Sequence, residues 1–291
     1  MYQEEYKEYL KTVKKVSDNT MQAYLRDLSH FVVFLNQRGV RDAVDASNGD
    51  ALSYMMDLKS RNMSKSTVNR KLASLRTYYD FLIKDGYIKV NPTDNIKSPK
   101  IEKKKIEFLS IEEIEKILSL PDDTPKGKRD KAILELLYAT GIRATELIEM
   151  KLDDVNMRMG FVKCKGDHSK ARIIPMGRIC RTALENFVFD IRPEMAKDDS
   201  KYLFVNYNGQ QLTRQGLWKI LKEYGEEAEI SIGLTPQVIR NSFAVHMLQN
   251  GADVKSLQEL MGHEDIAATQ AYLAVTKNRI KDVYDRAHPR A

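Results

Sequence analysis

The chain has 291 residues, with 47 Lys or Arg and 41 Asp or Glu, which gives a formal net charge of +6 at pH 7. This length suits two domains with adequate cores, and so small a charge excess indicates a nucleic-acid partner only if it is concentrated on one surface. A mean hydropathy of −0.48 and no long apolar run exclude a membrane span. The N-terminal residues predict no signal peptide, and two cysteines without metal-ligand spacing, Cys164 and Cys180, indicate a reduced, cytoplasmic protein.

Residues 1–96 are predicted to form an all-helical domain, because capping residues precede apolar stripes at helical spacing. The predicted helices are one that begins near Ser17 and ends at Gly39, one at Asp50–Ser60, and one that begins at Ser64 or Ser66 and ends at Gly86.

A run of basic residues without any acid lies between Leu58 and Tyr79. Such runs are commonly solvated helix faces, but this one is interleaved with Asn69, Ser74 and Thr77, whose side chains suit phosphates and base edges. We therefore predict a DNA-facing surface on this domain. Its basic residues are Lys59, Arg61, Lys65, Arg70, Lys71 and Arg76.

Residues 97–108 are predicted to be an extended basic linker, since Lys97 to Glu107 carries five lysines and little apolar content. Three of these lysines, Lys103, Lys104 and Lys105, are candidate DNA contacts. A second domain is predicted over residues 109–291. Its predicted elements are a helix capped by Ser110 and Glu113, helices at Asp130–Tyr138 and Thr145–Lys151, short strands at Val155, Phe161–Lys163 and Ala171–Met176 with a turn at Lys165–Ser169, and helices from Arg178 to the end.

An arginine, a histidine and a tyrosine follow one another near the C-terminus, each on a different short element. Thr235 and Pro236 predict a helix start, and Gln237 and Arg240 share one face of that helix. The opposite face, with Ile239, Phe243 and Met247, is predicted to be buried.

A second short helix is predicted between Asp253 and Gly262, with His263 just beyond it and Tyr272 on a third. An arginine, a histidine and a tyrosine so arranged can converge on one phosphate, which the tyrosine would attack. Taken alone, a helical core with a few surface polar residues explains the pattern equally well.

Four motifs in order resemble the C-terminal signature of the tyrosine recombinases, nearest to the bacterial Xer branch and the phage-type integrases. They are T-P-x-x-x-R-x-S-F-A-x-H-x-L, N-G-A-D, L-Q-E-L-M-G-H and T-Q-x-Y, between Leu234 and Tyr272. The similarity extends to A-T-G-I-R-A-T-E-L at Ala139–Leu147, K-G-D-H-S-K-A-R-I-I-P at Lys165–Pro175 and the final H-P-R-A. Looser similarity in the N-terminal part brings nearly the whole chain into the resemblance.

The resemblance implies a mainly α protein, with an all-helical, SAM-like core-binding domain and an α+β catalytic domain that carries a small antiparallel sheet. It also implies a site-specific recombinase that cleaves and rejoins DNA through a 3′-phosphotyrosyl intermediate and a Holliday junction. No metal cofactor is implied, because two arginines on one phosphate would stabilise the extra negative charge of the pentacoordinate state. No ATP is implied either, because the phosphotyrosyl bond keeps the energy needed for rejoining.

By the same resemblance Tyr272 is the nucleophile, Arg143 and Arg240 bind the scissile phosphate, and His263 donates a hydrogen bond to it. Glu146, one turn after Arg143, would orient that arginine. Lys165 matches the general acid that protonates the 5′-oxygen, with Lys170 as the alternative because the following loop is longer than is usual in the family. His246, on the buried side of its helix, is predicted to be structural.

Gln237 stands where the family usually has histidine, and Asn241 stands where it has histidine or a similar residue. A glutamine can donate a hydrogen bond to a phosphate oxygen but cannot exchange a proton at neutral pH. The substitution therefore predicts a working but slower enzyme.

The partners implied are a double-stranded DNA recombination site and three further protomers, with the tail Val283–Ala291 docked on a neighbour. The tetramer would be a homotetramer or include a paralogous recombinase, and activation by a DNA translocase stays open. Chromosome or plasmid dimer resolution is favoured over integration of a mobile element, since the length leaves no room for an added arm-binding domain. The alternatives from another class are a catalytically weakened, recombinase-like DNA-binding partner and a transcriptional regulator.

Overall fold

The computed structural model of the chain describes residues 2–101, 105–165, 171–197, 200–262 and 268–273. The chain divides into two compact units, Met1–Lys104 and Lys105–Ala291. Each unit contains hydrophobic core clusters of its own. A mainly helical protein, with helices in the first unit and a small antiparallel sheet in the second, is confirmed.

The helices of the first unit are α1 (Gln3–Thr12), α2 (Asp18–Gln37), α3 (Asn48–Ser60) and α4 (Lys65–Lys84). Serine side chains at the N-caps start three of them, and Ser64 rather than Ser66 starts α4 by accepting a hydrogen bond from the Thr67 N–H at 3.1 Å. The α4 residues Leu72, Leu75 and Tyr79 are fully buried, because apolar side chains recur at helical spacing on one face.

The segment after α4 stays attached to the first unit. Ile96 is buried in the core, and its carbonyl accepts a hydrogen bond from Arg76 Nη2 at 2.5 Å. Three residues further on, the Pro99 carbonyl accepts one from Asn69 Nδ2 at 2.9 Å. The first three residues of the predicted linker therefore lie along α4.

The helices of the second unit are α5 (Ile111–Ser119), α6 (Pro125–Thr140), α7 (Ala144–Glu149), α8 (Arg178–Glu185), α9 (Arg192–Met195), α10 (Arg214–Glu227), α11 (Pro236–Gln249) and α12 (Val254–Met261). A π-helical stretch, Asn186–Ile191, joins α8 to α9, and residues 268–273 are also helical. The predicted capping box at Ser110 and Glu113 starts α5.

The strands β1 (Val155–Asn156), β2 (Phe161–Cys164) and β3 (Arg172–Pro175) form an antiparallel sheet in the order β1-β2-β3. Cys164 pairs with Arg172 in the register of β2 and β3. The sheet therefore places Arg172 opposite the end of the strand that leads to Lys165.

The prediction of helices from Arg178 to the end is wrong between Met195 and Arg214, where the described residues are not helical. The buried Arg192 guanidinium donates to the carbonyls of Ser200, Tyr202 and Leu203, which satisfies backbone groups that a helix would have paired internally. Short β-bridges, Lys151 with Tyr202 and Val205 with Gln211, hold the same segment.

The helix α11 is more deeply buried than its pattern predicts. Nearly every residue from Val238 to Leu248 is buried, and Met247, predicted to be internal, is partly exposed. The helix contacts both α6 and α12, so two faces are covered instead of one. His246 is buried as predicted, with Nδ1 3.0 Å from the Tyr138 hydroxyl.

Both cysteines, Cys164 and Cys180, are free and buried, and burial raises the pKa of each thiol to about 12. Among the described residues, no helix is both long and apolar enough to cross a membrane.

Candidate active site

The turn between α6 and α7 positions the first arginine. Gly141 ends α6 in the left-handed region, with φ of 58°, and a Cβ there would lie 2.3 Å from the ring of Phe243. Only glycine fits so close to α11 in this conformation. Arg143 follows as the N-cap residue of α7, and its backbone N–H donates to Glu146 Oε2 at 2.7 Å. Its guanidinium remains 40% exposed.

Glu146 holds two arginines at once. Its carboxylate lies 3.5 Å from Arg143 Nη1 and accepts a bidentate pair of hydrogen bonds from Arg172, at 2.6 and 2.9 Å. Burial alone would raise the pKa of Glu146, but the hydrogen bonds from Arg172 and from the Arg143 backbone lower it below its ordinary value. The charged carboxylate therefore stays in place as a fixed anchor for both guanidiniums.

Three arginines converge on the C-terminal end of α12. Arg172 Nε donates to the Leu260 carbonyl at 2.7 Å, Arg240 Nη2 to Met261 at 2.6 Å, and Arg143 Nη2 to Gly262 at 2.9 Å. Helix C-terminal carbonyls carry partial negative charge and attract cations. The end of α12, just before His263, is therefore clamped by guanidiniums from three other elements.

Arg240 is 4% exposed and also donates to the Gly141 carbonyl. Burial, together with the neighbouring Arg143 charge, lowers its pKa to about 10. A buried guanidinium beside a second one is an unfavourable arrangement that a bound anion would relieve. The two side chains therefore form a site suited to a phosphate.

Tyr272 is 5% exposed, and its hydroxyl donates to Asn241 Oδ1 at 2.9 Å. Burial raises the pKa of the phenol, while the charges of Arg240 and Arg143 and a hydrogen bond from Gln237 lower it in part. The phenol is thus close enough to both arginines to feel their charge.

Two amides lie beside the phenol. Gln237, on the exposed side of α11, donates from Nε2 to Asn241 Oδ1 at 2.8 Å. Asn241 donates from Nδ2 to the Glu107 carbonyl at 2.8 Å. The two residues that depart from the family pattern are therefore bonded to each other and grouped around Tyr272.

The Lys165 side chain is 66% exposed, and its ammonium lies 3.5 Å from Asp154 Oδ1. It lines a cleft of about 420 Å³ that Glu146 and Tyr202 also line. Lys170, the alternative general acid, and His263 lie outside the described residues, as does the tail Val283–Ala291.

The predicted DNA-facing residues differ in exposure and in the partners of their side chains. Lys59, Arg61 and Lys65 are exposed, as is Lys105. Arg61 pairs with Asp57 at 3.0 Å, and Arg76 is occupied by the Ile96 carbonyl. Lys103 and Lys104 lie outside the described part of the chain.

The prediction that Lys71 faces DNA is wrong. The side chain is buried, and its ammonium donates to Asp27 Oδ1 at 3.0 Å and lies 3.0 Å from His30 Nδ1. Asp27 also pairs with Arg70, whose side chain is 44% exposed. A buried carboxylate on α2 needs a cationic partner, and the inward side of α4 supplies it.

Sequence reasoning missed Arg172 and the position of Asn241. Arg172 could have been noticed, because an arginine in the apolar strand R-I-I-P must find a partner if it is covered. Nothing in the sequence indicates that Asn241 contacts a residue 31 positions away.

Comparison with known proteins agrees with this arrangement. The pattern of the phage integrase family matches residues 107–279, and that of the phage integrase N-terminal SAM-like domain matches residues 4–86. The chain therefore belongs to the phage integrase family.

It is 42% identical to the tyrosine recombinase XerD of Listeria innocua, over 97% of each chain. It is 40% identical to that of Oceanobacillus iheyensis, over 99% of this chain and 98% of the relative. The chain is accordingly a site-specific tyrosine recombinase of the Xer type.

Solved structures share the fold. The crystal structure of XerA recombinase is similar over 100% of this chain and 99% of that one, with 25% identity and a TM-score of 0.57. The XerH site-specific recombinase bound to its palindromic difH substrate, in a post-cleavage complex, has 19% identity and a TM-score of 0.72 over 91% of this chain and 78% of that one. The Tn1549 transposon integrase in complex with transposon right end DNA has 20% identity and a TM-score of 0.73 over 98% of both chains.

Proposed function

We propose that Tyr272 cleaves one DNA strand of a recombination site while Arg143 and Arg240 hold the scissile phosphate. The observation that carries the proposal is the convergence of these two guanidiniums and the phenol in one site of the second unit. Two fixed positive charges stabilise the extra negative charge of a pentacoordinate phosphorus. Glu146 and Arg172 act as positioning residues, since they contact the arginines and the end of α12.

In the proposed step the Tyr272 oxygen forms a bond to phosphorus as the bond from phosphorus to the 5′-oxygen breaks. The electron pair leaves with the 5′-oxygen, which takes a proton from Lys165, and the phenol proton passes to water. The products are a 3′-phosphotyrosyl bond and a free 5′-hydroxyl. Attack by another 5′-hydroxyl reverses the step, so rejoining consumes no ATP. His263 would donate a hydrogen bond to the phosphate, and Lys170 is the alternative acid.

Without Lys71, the proposed DNA contacts are the remaining predicted cations: Lys59, Arg61, Lys65, Arg70, Arg76, Lys103, Lys104 and Lys105. XerH and the Tn1549 integrase were solved with DNA, which supports binding of a recombination site by this chain as well. We place four protomers on two sites, with strand exchange in pairs through a Holliday junction in the cytoplasm. Dimer resolution of chromosomes or plasmids is favoured over element integration, because the relatives at about 40% identity are XerD recombinases. The partners left open are a paralogous recombinase and a DNA translocase.

Covalent trapping tests this proposal. The protein is mixed with a nicked duplex that carries a candidate chromosomal recombination site, so that cleavage releases a short strand and cannot be reversed. A denaturing gel then separates the adduct. We expect a shifted band that is lost in Tyr272→Phe, whose side chain differs by one oxygen atom.

An adduct that persists in Tyr272→Phe would assign the nucleophile to another residue. Binding to the duplex in a native gel without any adduct would favour the catalytically weakened DNA-binding partner, for which the Gln237 departure is the specific observation.

A further inference from the structure

We propose that Asn241 is a positioning residue that holds Tyr272 as a hydrogen-bond donor, in a resting state that the nucleophile must leave before it attacks. The inference rests on the proposed role of Tyr272. The bond in question is the one from the Tyr272 hydroxyl to Asn241 Oδ1, 2.9 Å long and buried.

The direction of this hydrogen bond follows from the other contacts of the amide. Asn241 Nδ2 donates to the Glu107 backbone carbonyl at 2.8 Å, and a carbonyl can only accept. The amide oxygen must therefore point toward Tyr272. There it also accepts from Gln237 Nε2 at 2.8 Å. An amide oxygen cannot donate, so the phenol must supply the proton.

The contact that orients Asn241 is itself firmly held. Glu107 belongs to a short segment that packs on α11, where Ile106 and Phe108 cover the cluster that contains Phe243 and Tyr272. The next backbone group, the Leu109 N–H, donates to the buried Ser242 hydroxyl at 2.8 Å. The amide is thus fixed from the backbone side and does not depend on a mobile side chain.

An acceptor beside a phenol stabilises the protonated form, and attack on phosphorus requires the oxygen to give that proton up. The charges of Arg240 and Arg143 and a hydrogen bond from Gln237 favour the phenolate, whereas burial and the Asn241 oxygen favour the phenol. Replacement of Asn241 by a residue without an acceptor should therefore make the Tyr272 hydroxyl more reactive.

The test uses the full chain on the same nicked duplex, with a sulfur atom in place of the 5′-oxygen, so that the leaving group needs no general acid. Single-turnover adduct formation at saturating DNA is followed across pH. We expect Asn241→Leu, which keeps the size but loses the acceptor, to react about two- to tenfold faster at neutral pH, the rate equivalent of one hydrogen bond. The midpoint of its pH profile should move downward.

A second substitution gives the opposite expectation. Asn241→Asp keeps an acceptor and adds a negative charge beside the phenol, so its rate should fall and its pH midpoint should rise. Simple damage to α11 would slow both variants. Opposite changes in cleavage rate and pH midpoint in the two variants therefore distinguish the loss of the hydrogen bond to Tyr272 from a general distortion of α11.

Tyr138→Phe is the matched control. It removes a hydrogen bond to His246, which lies on α11 as Asn241 does. We expect it to lower the unfolding temperature without moving the pH midpoint. An Asn241→Leu variant that cleaves more slowly, or with an unchanged midpoint, would overturn the inference. If wild type forms no adduct that Tyr272→Phe abolishes, the proposed function fails first, so the two failures are distinguishable.

Discussion

At the scale of single residues, the site depends on a buried carboxylate that serves two arginines. Glu146 is 6% exposed at its side chain and binds Arg172 through both oxygens while also contacting Arg143. Paired in this way, a buried charge is stable, but removal of one partner leaves the others uncompensated. Arg172 therefore matters to the phosphate site although its own donors are directed to Glu146 and the Leu260 carbonyl.

This arrangement predicts a dependence of stability on pH. The pKa of Glu146 is lowered in the folded protein from its ordinary value of 4.5, so its contribution is complete above that value and disappears as the pH falls through the folded pKa. At pH 7 we expect Glu146→Gln to lower the free energy of unfolding by about 3 kcal/mol. The difference in free energy of unfolding between Glu146→Gln and wild type should become smaller at low pH. Denaturant titrations at both pH values check this, and a constant gap would contradict it.

The second prediction at this scale concerns Gln237. Its amide can donate a hydrogen bond but cannot exchange a proton, whereas the histidine usual at this position in the family can do both. We expect Gln237→His to raise the single-turnover cleavage rate by about 10²-fold or more if the histidine acts in proton transfer. Gln237→Asn, an amide with a shorter reach, is the control. An unchanged or lower rate for the histidine variant would show that proton exchange is not needed here.

At the scale of elements, the site is built where helix ends meet. The C-terminus of α6 brings Gly141 against α11, the start of α7 carries Arg143, and the end of α12 receives the arginines. Helix ends expose unpaired backbone groups, which explains why charged side chains collect there. Substitutions at these junctions should therefore affect stability and cleavage together.

Gly141→Ala tests this junction, with Gly86→Ala as its control. Both glycines have positive φ, at 58° and 79°, but a Cβ at Gly86 meets nothing within 4 Å. In the control, Gly86→Ala, the free energy of unfolding should fall by about 1 kcal/mol, because of the left-handed backbone alone. Gly141→Ala should lose about 2–4 kcal/mol, because its methyl group also collides with the Phe243 ring. Thermal unfolding and the trapping assay measure both effects, and equal losses for the two variants would contradict the close approach.

At the scale of the whole molecule, the small net charge of +6 becomes informative only through its distribution. Lys59 and Lys65 lie exposed at neighbouring ends of α3 and α4, whereas Lys71 is consumed by Asp27 inside the first unit. Lysines of similar sequence context therefore differ: Lys59 and Lys65 are exposed and are proposed to contact DNA, whereas Lys71 stabilises the fold.

Two alanine variants separate these roles. Lys59→Ala should leave the unfolding temperature unchanged and reduce the slope of log affinity for DNA against log salt by about 1. Lys71→Ala should lower stability by about 3 kcal/mol, because Asp27 is then buried beside a single exposed arginine. Salt titrations of binding and thermal unfolding check this. A normal salt slope for Lys59→Ala would remove Lys59 from the DNA surface.

Much of the fold was predictable from local patterns. Serine caps and apolar stripes indicated α2, α4 and α5, and the strand and turn residues indicated β2 and β3. These signals depend on backbone chemistry that acts over a few residues. The segment between Met195 and Arg214 was mispredicted, because its backbone groups are paired with the Arg192 side chain and, through a β-bridge, with the distant Lys151, which no local pattern reveals.

By itself, the sequence determined the chemical types in the site and their order along the chain: Arg143, Arg240 and Tyr272 in motifs that point to phosphate chemistry. The tertiary structure alone decided which contacts those side chains make. The pairing of Glu146 with Arg172, the clamping of α12 and the hydrogen bond from Tyr272 to Asn241 join residues 21 to 119 positions apart. Such contacts depend on how helix ends pack against one another, and this packing is a property of the folded chain as a whole.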